Sequence, residues 1–446
     1  MVKVITYGTY DLLHYGHIEL LRRAKALGDY LIVGVTADDY DKARGKINNQ
    51  QSLMERVNAV KATGLADEVI VEEYDGQKID DIRKYGIDIF TVGSDWKGKF
   101  DYLNEYCKVV YLPRTEGVSS SDIRRERRKI RIGIVGEWEI LRKFIRESTY
   151  VDGCEIAGIC CAPEGMPSDV EVPYRTDCFS ALLDRADAIY VISHPRKHYE
   201  QIKEALQKRK HVLCESPIAL SREAYEELRT LAHENGCVLM DAIKTAYSTA
   251  YARMLLLIKS GMIGNIVSVD ATCTSLRKIE TDNPRYLAEV WDSIYNWGPT
   301  ACLPVFDILG PHFREMKKSS AYADAGKMFS AFAKLDFVYD GAVATVKVGS
   351  GVKSEGELVI SGTKGYIYVP APWWKTDYFE IRYENAENNR RYFYALEGEG
   401  IRYEIVAFLK AIDSAGGAVD AIPSPVSAAI CDVISSPPDH TILYRE

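Results

Sequence analysis

The sequence has few features of a membrane or secreted protein. No uninterrupted apolar stretch approaches the roughly 20 residues that a spanning helix needs. The ten cysteines are scattered, with no CxxC pair and one adjacent couple, Cys160-Cys161, which argues against a disulfide framework and against a zinc site. No signal-peptide pattern follows Met1. These absences predict a protein of the reducing cytoplasm with no membrane partner.

The chain also lacks the excess of positive charge that is typical of nucleic-acid binding proteins. It has 56 Lys and Arg against 64 Asp and Glu, a net charge of −8, which disfavours a general nucleic-acid binder. One short basic run, RRERRKIR, occupies residues 124–131. Such a run is most simply a solvated linker or helix end, and an anion site is the alternative.

The pattern of apolar residues predicts a parallel sheet in the first third of the chain. Short β-branched runs alternate there with helical segments, an order typical of parallel strands covered by helices on both faces. The predicted strands are residues 2–7, 30–36, 69–73, 87–92 and 109–112, and the predicted helices are residues 17–27 and 54–63.

The same alternation restarts after the basic run and then changes. Further strands are predicted at residues 130–135, 156–160, 188–192 and 212–214. From Ile266 onward, long strand-like runs follow one another with few helices until residues 403–415, which indicates a mostly antiparallel sheet. With 446 residues the chain is long enough for two or three domains. The predicted fold is α/β: a Rossmann-like domain at 1–128, a second at 129–245, and an α+β domain with a large, mostly antiparallel sheet at 246–446.

The most informative stretch is YGTYDLLHYGH, which follows the first strand and opens the first helix. Backbone N–H groups and the helix dipole attract phosphate at such a place. Gly8 permits close backbone approach, and Gly16 allows a tight turn between His14 and His17. The two imidazoles can point at one phosphoryl group and stabilise the charge that develops when it is attacked. Taken alone, the spacing also fits two unconnected histidines or half of a metal site.

Two further segments point to a bound triphosphate. RTEGVSSSDI begins at Arg114, whose forked guanidinium suits phosphate, and the amides and hydroxyls of its serines could hold β- and γ-phosphates. GSDWKGKF, residues 93–100, lies at the end of a predicted strand, and the carboxyl ends of parallel strands face the ligand.

These motifs carry a resemblance to a known family. HYGH and RTEGVSSSDI resemble the HxGH and RTxGxSTT signatures of the HIGH-type nucleotidyltransferases, and residues 1–127 closely resemble the glycerol-3-phosphate cytidylyltransferases. The resemblance implies transfer of CMP from CTP to a small phosphorylated polyol, most simply glycerol 3-phosphate, giving CDP-glycerol and pyrophosphate. It also implies Mg²⁺, a homodimer and a role in bacterial cell-wall or capsule precursors. Adenine as the base, and ribitol, erythritol or aminoalcohol phosphates as acceptors, stay open.

The resemblance also assigns roles to individual residues. His14 and His17 match the pair that stabilises the transition state, Lys46 and Arg114 match cations on the phosphates, and Asp11 matches a position near the divalent ion. The positions implied to bind the nucleotide or the acceptor are Gly8, Thr9, Tyr10, Gly16, Arg56, Asp95, Trp96, Thr115, Ser119 and Ser120. Two departures stand out: a Ser-Ser pair replaces the threonine pair, and the segment between Asp38 and Arg56 is one residue longer.

The rest of the chain resembles the glucose–fructose oxidoreductase and inositol dehydrogenase family, through residues 190–220 (YVISHPRKHYEQIKEALQKRKHVLCESPIAL) above all. The strand and turn at residues 132–138 begin like a dinucleotide-binding motif, but a GxGxxG from Gly136 would need glycines where Trp138 and Leu141 stand.

The catalytic pattern of that family is incomplete in this chain. Its EKP motif becomes Glu215-Ser216-Pro217, and its DxGxH segment aligns with residues 296–300, NWGPT. A hydride transfer therefore lacks its usual proton carriers. His194, His198 and His312 are most simply structural or exposed, and service as substitute proton carriers is the alternative. The sequence predicts a non-catalytic module with no firm place for NAD(P). The alternative is a bifunctional enzyme with an active NAD(P)-dependent oxidoreductase.

Overall fold

The computed structural model describes residues 1–43, 48–74, 76–113, 129–137, 140–163, 167, 169–414 and 421–443. The chain divides into two compact units, Met1–Lys129 and Ile130–Glu446, and each is described by itself. Within these ranges no helix is both long and apolar enough to cross a membrane.

The first unit is a five-stranded parallel sheet in the order β3-β2-β1-β4-β5. Its strands are β1 (Lys3–Gly8), β2 (Tyr30–Thr36), β3 (Glu68–Glu72), β4 (Ile89–Gly93) and β5 (Lys108–Leu112). Its helices are α1 (Tyr15–Lys25), α2 (Asp38–Ala43), α3 (Leu53–Ala62) and α4 (Gln77–Tyr85), with 3-10 turns at Ser94–Trp96 and Asp101–Glu105.

Both faces of this sheet are buried. Along β1, Val4 packs with Leu21 of α1 and Val60 of α3, whereas the next residue, Ile5, packs on the other face with Ile82 of α4. Successive side chains of a strand point to opposite faces, so a strand covered on both faces is apolar throughout. The strand order reverses between β1 and β4, and ligands of such sheets bind outside the carboxyl ends of the strands at that point.

The second unit begins with a parallel sheet in the order β11-β10-β9-β6-β7-β8. Its strands are β6 (Ile130–Val135), β7 (Cys154–Cys160), β8 (Arg175–Thr176), β9 (Ala188–Val191), β10 (His211–Cys214) and β11 (Leu239–Asp241). Its helices are α5 (Ile140–Ser148), α6 (Phe179–Leu183), α7 (Pro195–Gln207) and α8 (Arg222–Glu234).

A large mixed sheet follows, in the order β20-β19-β18-β17-β12-β15-β14-β13-β21, with β16 beside β12. It is parallel at β12–β15 and β13–β21 and antiparallel at its other pairs of described strands. Its strands are β12 (Ile266–Leu276), β13 (Glu315–Tyr322), β14 (Ser330–Val338), β15 (Val343–Gly349), β16 (Gly351–Val352), β17 (Leu358–Gly362), β18 (Tyr366–Val369), β19 (Tyr378–Arg382), β20 (Arg390–Phe393) and β21 (His440–Leu443).

The helices of this part are α9 (Thr249–Lys259), α10 (Pro284–Glu289), α11 (Ser293–Leu309), α12 (Ile401–Asp413) and α13 (Ser424–Ser435). The predicted fold class, two Rossmann-like sheets and one large, mostly antiparallel sheet, is confirmed. The elements that the sequence analysis did not predict include α11, a 17-residue helix that carries Pro299 and Pro304 in its interior. Prolines disfavour a helix interior, but burial of Ala301, Leu303 and Phe306 makes this apolar segment helical nevertheless.

Candidate functional site

The turn between β1 and α1 has an unusual backbone. Tyr10 and Leu12 have positive φ angles of 54° and 49°. Residues other than glycine rarely adopt this backbone conformation, and those that do are often found at functional sites. The ring of Tyr10 is buried against Gly8, where an added Cβ would lie 2.9 Å from a ring carbon. Gly8 is therefore required by the packing of this turn, in addition to the close phosphate approach predicted for it.

The structure brings His14 and His17 together at the start of α1. His14 is the N-cap residue, and its Nδ1 accepts a hydrogen bond from the Gly16 amide at 3.1 Å. The two rings stack with centroids 3.8 Å apart, and Tyr10 meets the His17 ring edge-on at 5.5 Å. Burial lowers the pKa of His14, so the neutral ring carries its proton on Nε2. That N–H is a donor fixed by the backbone, as an oxyanion site needs.

Arg56 lies beneath the same turn with no exposed surface. Its guanidinium donates to the carbonyl oxygens of Thr9 (2.6 Å), Thr36 (2.9 Å) and Gln51 (3.2 Å). It also pairs with Asp38 and, at 3.8 Å, with the fully buried Asp41.

Asp41 continues this network, because it accepts a hydrogen bond from the Thr9 hydroxyl at 2.9 Å. Arg56, predicted to bind the nucleotide or the acceptor, is thus placed where it fixes the backbone of Thr9.

Asp11 ties the turn to the segment that leads into α3. Its Oδ1 accepts the amides of Gln50 (3.0 Å) and Gln51 (2.9 Å), and the side chain of Gln51 accepts the amide of Leu12 at 2.7 Å. Asp11 is only 3% exposed. Among the residues that the structure describes, no group of three or more His, Cys, Asp and Glu side chains is arranged to hold a metal ion. A divalent ion here would therefore depend on ligands from a bound substrate.

Asp95 and Trp96 lie in the 3-10 turn directly after β4, which is the strand next to β1. Asp95 is exposed. The Trp96 indole packs on Phe100 at 5.9 Å, and the ammonium of Lys99 lies 5.0 Å from the indole centroid. Both predicted residues thus stand at the carboxyl edge of the sheet, as expected for ligand-binding groups.

A small pocket of about 50 Å³ opens at this edge and contains a pair that the sequence reasoning missed. Lys78 of α4 is buried and forms an ion pair with Glu72, the last residue of β3. Its ammonium also lies 4.8 Å from the Tyr7 ring centroid and 5.5 Å from that of Phe100. A buried lysine that lines a pocket is a charge available to an anionic ligand.

Five of the predicted site residues lie outside the described part of the chain: Lys46, Arg114, Thr115, Ser119 and Ser120. Their predicted contacts with the triphosphate stay predictions.

The second unit has a cleft of about 580 Å³ at the carboxyl ends of β6, β7 and β9. Gly136 has a φ of 115°, and a Cβ there would lie 2.3 Å from the Ser193 amide nitrogen, so this position requires glycine. The next residue, Glu137, accepts the Ala162 amide through its carboxylate at 3.1 Å.

Two positions of this cleft depart from the dinucleotide-binding pattern, although His194, Arg196 and Lys197 also line it. Glu137 places a negative charge in the turn that holds pyrophosphate in dinucleotide-binding domains. Cys160 and Cys161 stand where an acidic residue would bind the ribose, and burial raises the pKa of both thiols to about 11.

The remaining ionisable residues of the oxidoreductase pattern, among those that the structure describes, are bonded within the protein, cap a helix or lie at the surface. Burial raises the pKa of Glu215 to about 7, and Tyr190 donates a hydrogen bond to it. His198 is buried, with its ring nitrogens 2.6 Å from the Ser193 carbonyl oxygen and 2.8 Å from that of Pro217. His194 caps α7, and His312 is exposed.

Comparisons with known proteins agree with this division. Residues 5–126 match the cytidylyltransferase-like family, and residues 130–242 match the oxidoreductase family with an NAD-binding Rossmann fold. A glycerol-3-phosphate cytidylyltransferase of Bacillus spizizenii is 52% identical over 126 residues, which are 28% of this chain and 97% of the relative. The Staphylococcus aureus enzyme of the same name is 48% identical over 28% of this chain and 95% of the relative.

Solved structures resemble the second unit in fold. A 3-ketoreductase from Actinomadura kijaniata in complex with NADP and TDP-benzene has a TM-score of 0.60 at 20% identity, covering 71% of this chain and 100% of that one. A UDP-N-acetylglucosamine 3-dehydrogenase from Acidithiobacillus ferrooxidans has a TM-score of 0.56 at 18% identity, covering 69% and 95%. The chain therefore belongs, through its first unit, to the cytidylyltransferase family of nucleotidyltransferases, and joins to it an oxidoreductase-type Rossmann domain.

Proposed function

We propose that the first unit transfers CMP from CTP to glycerol 3-phosphate and releases pyrophosphate and CDP-glycerol. The observation that carries this proposal is the stacked His14–His17 pair at the carboxyl end of β1. We infer the nucleotide and the acceptor from the two glycerol-3-phosphate cytidylyltransferases that are 52% and 48% identical over nearly their whole length. An ethanolamine-phosphate cytidylyltransferase of Dictyostelium discoideum is only 36% identical, over 35% of its length, which favours the polyol phosphate.

The chemistry needs positioning and charge stabilisation, with no general base. The acceptor phosphate is already ionised at neutral pH and attacks the α-phosphate directly. The Nε2–H of His14, held by the Gly16 amide on the other ring nitrogen, donates to an α-phosphate oxygen as charge accumulates there. His17, stacked on it, serves the same phosphoryl group. Lys46, Arg114, Thr115, Ser119 and Ser120 would clamp the triphosphate.

Magnesium is the divalent ion we propose, bound chiefly by the triphosphate. Mg²⁺ takes one or two carboxylates and completes its shell with phosphate oxygens and water, which suits a site without a preformed cluster of ligands. Asp11 is the proposed carboxylate. The ion would neutralise charge on the departing pyrophosphate.

The acceptor would bind in the pocket of Lys78. The pocket, at about 50 Å³, takes only a small group and is too small for a nucleotide, and Lys78 contributes a buried ammonium to its lining. A phosphate group that replaced Glu72 as the partner of Lys78 would gain a charge-assisted hydrogen bond.

The second unit is proposed to be non-catalytic, and it retains the glycine turn and the fold of an oxidoreductase. Ser216 replaces the lysine of the family motif, and residues 296–300 lie in α11 without its aspartate and histidine. We further propose a division into three domains, with boundaries at residues 128 and 245, and a homodimer. We also propose a location in the reducing cytoplasm and a role in cell-wall or capsule precursors. The bifunctional alternative requires NAD(P)H binding by the full chain, and protein fluorescence titrated with NADH and NADPH tests for it.

The test of the main proposal is pyrophosphate release by the full chain with Mg²⁺. CTP, ATP, UTP and GTP are crossed with glycerol, ribitol, erythritol and ethanolamine phosphates. Turnover with CTP and glycerol 3-phosphate alone is expected. Turnover with another nucleotide or another acceptor would mean that the enzyme makes a different product. No turnover across the panel would contradict the proposal. The His14→Ala variant is the control for contaminating activity.

A further inference from the structure

Three lysines from separate parts of the second unit converge on one carboxylate. Lys143 of α5 lies 3.0 Å from Glu399, Lys244 after β11 lies 3.2 Å from it, and Lys375 lies 2.8 Å from it. Lys143 and Lys375 reach Oε1, while Lys143 and Lys244 reach Oε2. The three ammonium groups thus surround the carboxylate of Glu399.

The charges in this cluster do not balance. Within the described part of the chain, Glu399 is the one carboxylate at ion-pair distance from each lysine. Lys244 also acts on the carboxyls of Glu215 and Glu404, but burial raises the pKa of both, which favours their neutral forms, so the positive charges outnumber the negative ones. The lysine side chains are 44%, 23% and 37% exposed, and that of Glu399 is 31% exposed. Burial would raise the pKa of Glu399, but hydrogen bonds from Lys375 and Lys143 outweigh it and lower the pKa to about 2. The cluster therefore keeps an excess of positive charge that solvent can reach.

Glu399 enters the cluster on a loop with an unfavourable backbone. Its φ is 54°, between Gly398 at 57° and Gly400 at 92°. Glutamate rarely adopts this left-handed conformation, which costs of order 1 kcal/mol and more per residue. A Cβ on Gly398 would lie 2.2 Å from a carboxylate oxygen of Glu147, so the loop is pressed against α5. The carboxylate is held among the lysines at the expense of backbone freedom.

A pair of packed tryptophans, Trp374 and Trp297, adjoins the cluster through Lys375. Trp374 precedes Lys375, and its ring packs on that of Trp297 at 4.8 Å. The indole N–H of Trp297 is buried and has no hydrogen-bond partner in the described structure. The Thr245 hydroxyl donates to the Trp374 carbonyl oxygen at 2.9 Å, which ties the segments of Lys244 and Lys375 together. The lysines are therefore held on a fixed frame.

We propose that Lys143, Lys244 and Lys375 form a binding site for the phosphoryl group of a small phosphorylated molecule, and that Glu399 occupies this site until the ligand displaces it. A phosphate monoester has three peripheral oxygens and nearly two negative charges. It can accept from three ammonium groups, whereas a carboxylate offers two oxygens and one charge. The site belongs to the second unit and is independent of the transferase activity.

Residue-resolved lysine labelling of the full chain tests the proposal. An amine-reactive reagent is applied at increasing inorganic phosphate or glycerol 3-phosphate, and modification of each lysine is followed by peptide mass spectrometry. Matched potassium chloride controls for ionic strength. We expect millimolar phosphate to slow the labelling of Lys143 and Lys375 several-fold in the wild-type chain. In Glu399→Gln the half-protecting concentration should be about tenfold lower, because the competing charge is gone.

The matched control is Glu397→Gln, on the same loop. Glu397 is 47% exposed and pairs with Arg402 at 2.9 Å instead of with the lysines, so its removal should leave the wild-type response unchanged. Lys375→Met keeps Glu399 in place and should abolish the protection of Lys143, which guards against misfolding of Glu399→Gln. Equal labelling with phosphate and with chloride in both the wild type and Glu399→Gln would overturn the proposal. Protection in Glu399→Gln alone would also overturn it, because Glu399 would then be a permanent structural partner.

Discussion

The imidazole rings of His14 and His17 lie 3.8 Å apart, centroid to centroid, with 24° between their planes. This stacking follows from the turn itself. His14 caps α1 through Nδ1, and Gly16 supplies the amide that bonds to it. The turn therefore holds the two rings together before any substrate arrives. Such preorganisation is what makes donors effective at a phosphoryl group that gains charge.

Replacing either histidine by alanine should lower the turnover number by about 10²–10³, the usual loss for one preorganised donor. His14→Ala also removes the cap of α1, so its unfolding free energy should fall by about 1 kcal/mol, and His17→Ala should not share that loss. Turnover is measured with CTP and glycerol 3-phosphate at saturation. His312→Ala, an exposed histidine of the second unit, is the control. Near-normal turnover in both variants would sink the catalytic assignment.

Arg56→Met should destabilise the first unit by about 3–5 kcal/mol, because it strips a buried cation from buried acceptors. Asp41, which has no exposed surface, would lose the guanidinium of Arg56 while it keeps the hydrogen bonds from Thr9 and Asn49. Adding Asp41→Asn should therefore restore part of the loss. Urea unfolding of the wild type, both single variants and the double variant measures the coupling. A loss below about 1 kcal/mol would mean that the network acts like a surface ion pair.

Asp11→Asn separates anchoring from metal binding. The amide oxygen of asparagine can still accept the Gln50 and Gln51 amides, so the turn should keep its shape and the unit its stability. If the carboxylate also serves Mg²⁺, the Mg²⁺ concentration for half-maximal turnover should rise several-fold, and turnover should recover at high Mg²⁺. Turnover titrated with Mg²⁺ decides this. An unchanged Mg²⁺ dependence would leave Asp11 with its anchoring role only.

Lys78→Met should raise the KM for glycerol 3-phosphate by about 10–100-fold, the equivalent of a hydrogen bond to a charged group. The KM for CTP should stay near its wild-type value, because the pocket is too small for the nucleotide. The variant leaves Glu72 buried without its cation, so Lys78→Met with Glu72→Gln provides a stability-matched partner. Steady-state kinetics in both substrates checks this. An equal rise in both KM values would argue for a general loss of structure.

The sequence predicted the strand–turn–helix of the HYGH segment because its signals are local. Glycines, a polar helix cap and an apolar strand stand within a few residues of one another. The fold class followed from periodicity in the same way. The helix α11 was missed because its two prolines are strong local signals against a helix, and they are overridden by burial of its apolar side chains against distant strands.

The environment of the site residues could not be predicted because it is made by contacts between distant segments. Arg56 was recognised as important, but its partners Thr9, Thr36 and Gln51 come from three separate places. Lys78 lies on a helix with no motif, and only the fold puts it beside Glu72. The one local signal of the Lys78–Glu72 pair is Glu72 itself, a charged residue at the buried end of β3.

We expect the carboxyl of Glu215 to make the stability of the second unit depend on pH. Burial raises its pKa to about 7 from an ordinary value of 4.5. The folded chain therefore binds more protons than the unfolded chain between these values, and the stability present at low pH is lost as pH rises through about 7. Asp241 and Glu404 are also buried, and burial raises the pKa of both, so they contribute in the same direction.

Glu215→Gln should therefore reduce the loss of stability between about pH 5 and about pH 8 by on the order of 2 kcal/mol. Glutamine cannot ionise, and its amide oxygen can still accept the hydroxyl of Tyr190, which donates to Glu215 in the wild type. Thermal unfolding at both pH values measures the difference. Glu227→Gln is the control, since its hydrogen bond from Lys203 lowers the pKa of Glu227 and places its contribution below this range. A pH dependence in Glu215→Gln as steep as that of the wild type would mean that Glu215 is already ionised in the folded chain, compensated by Lys244, whose charge lowers its pKa.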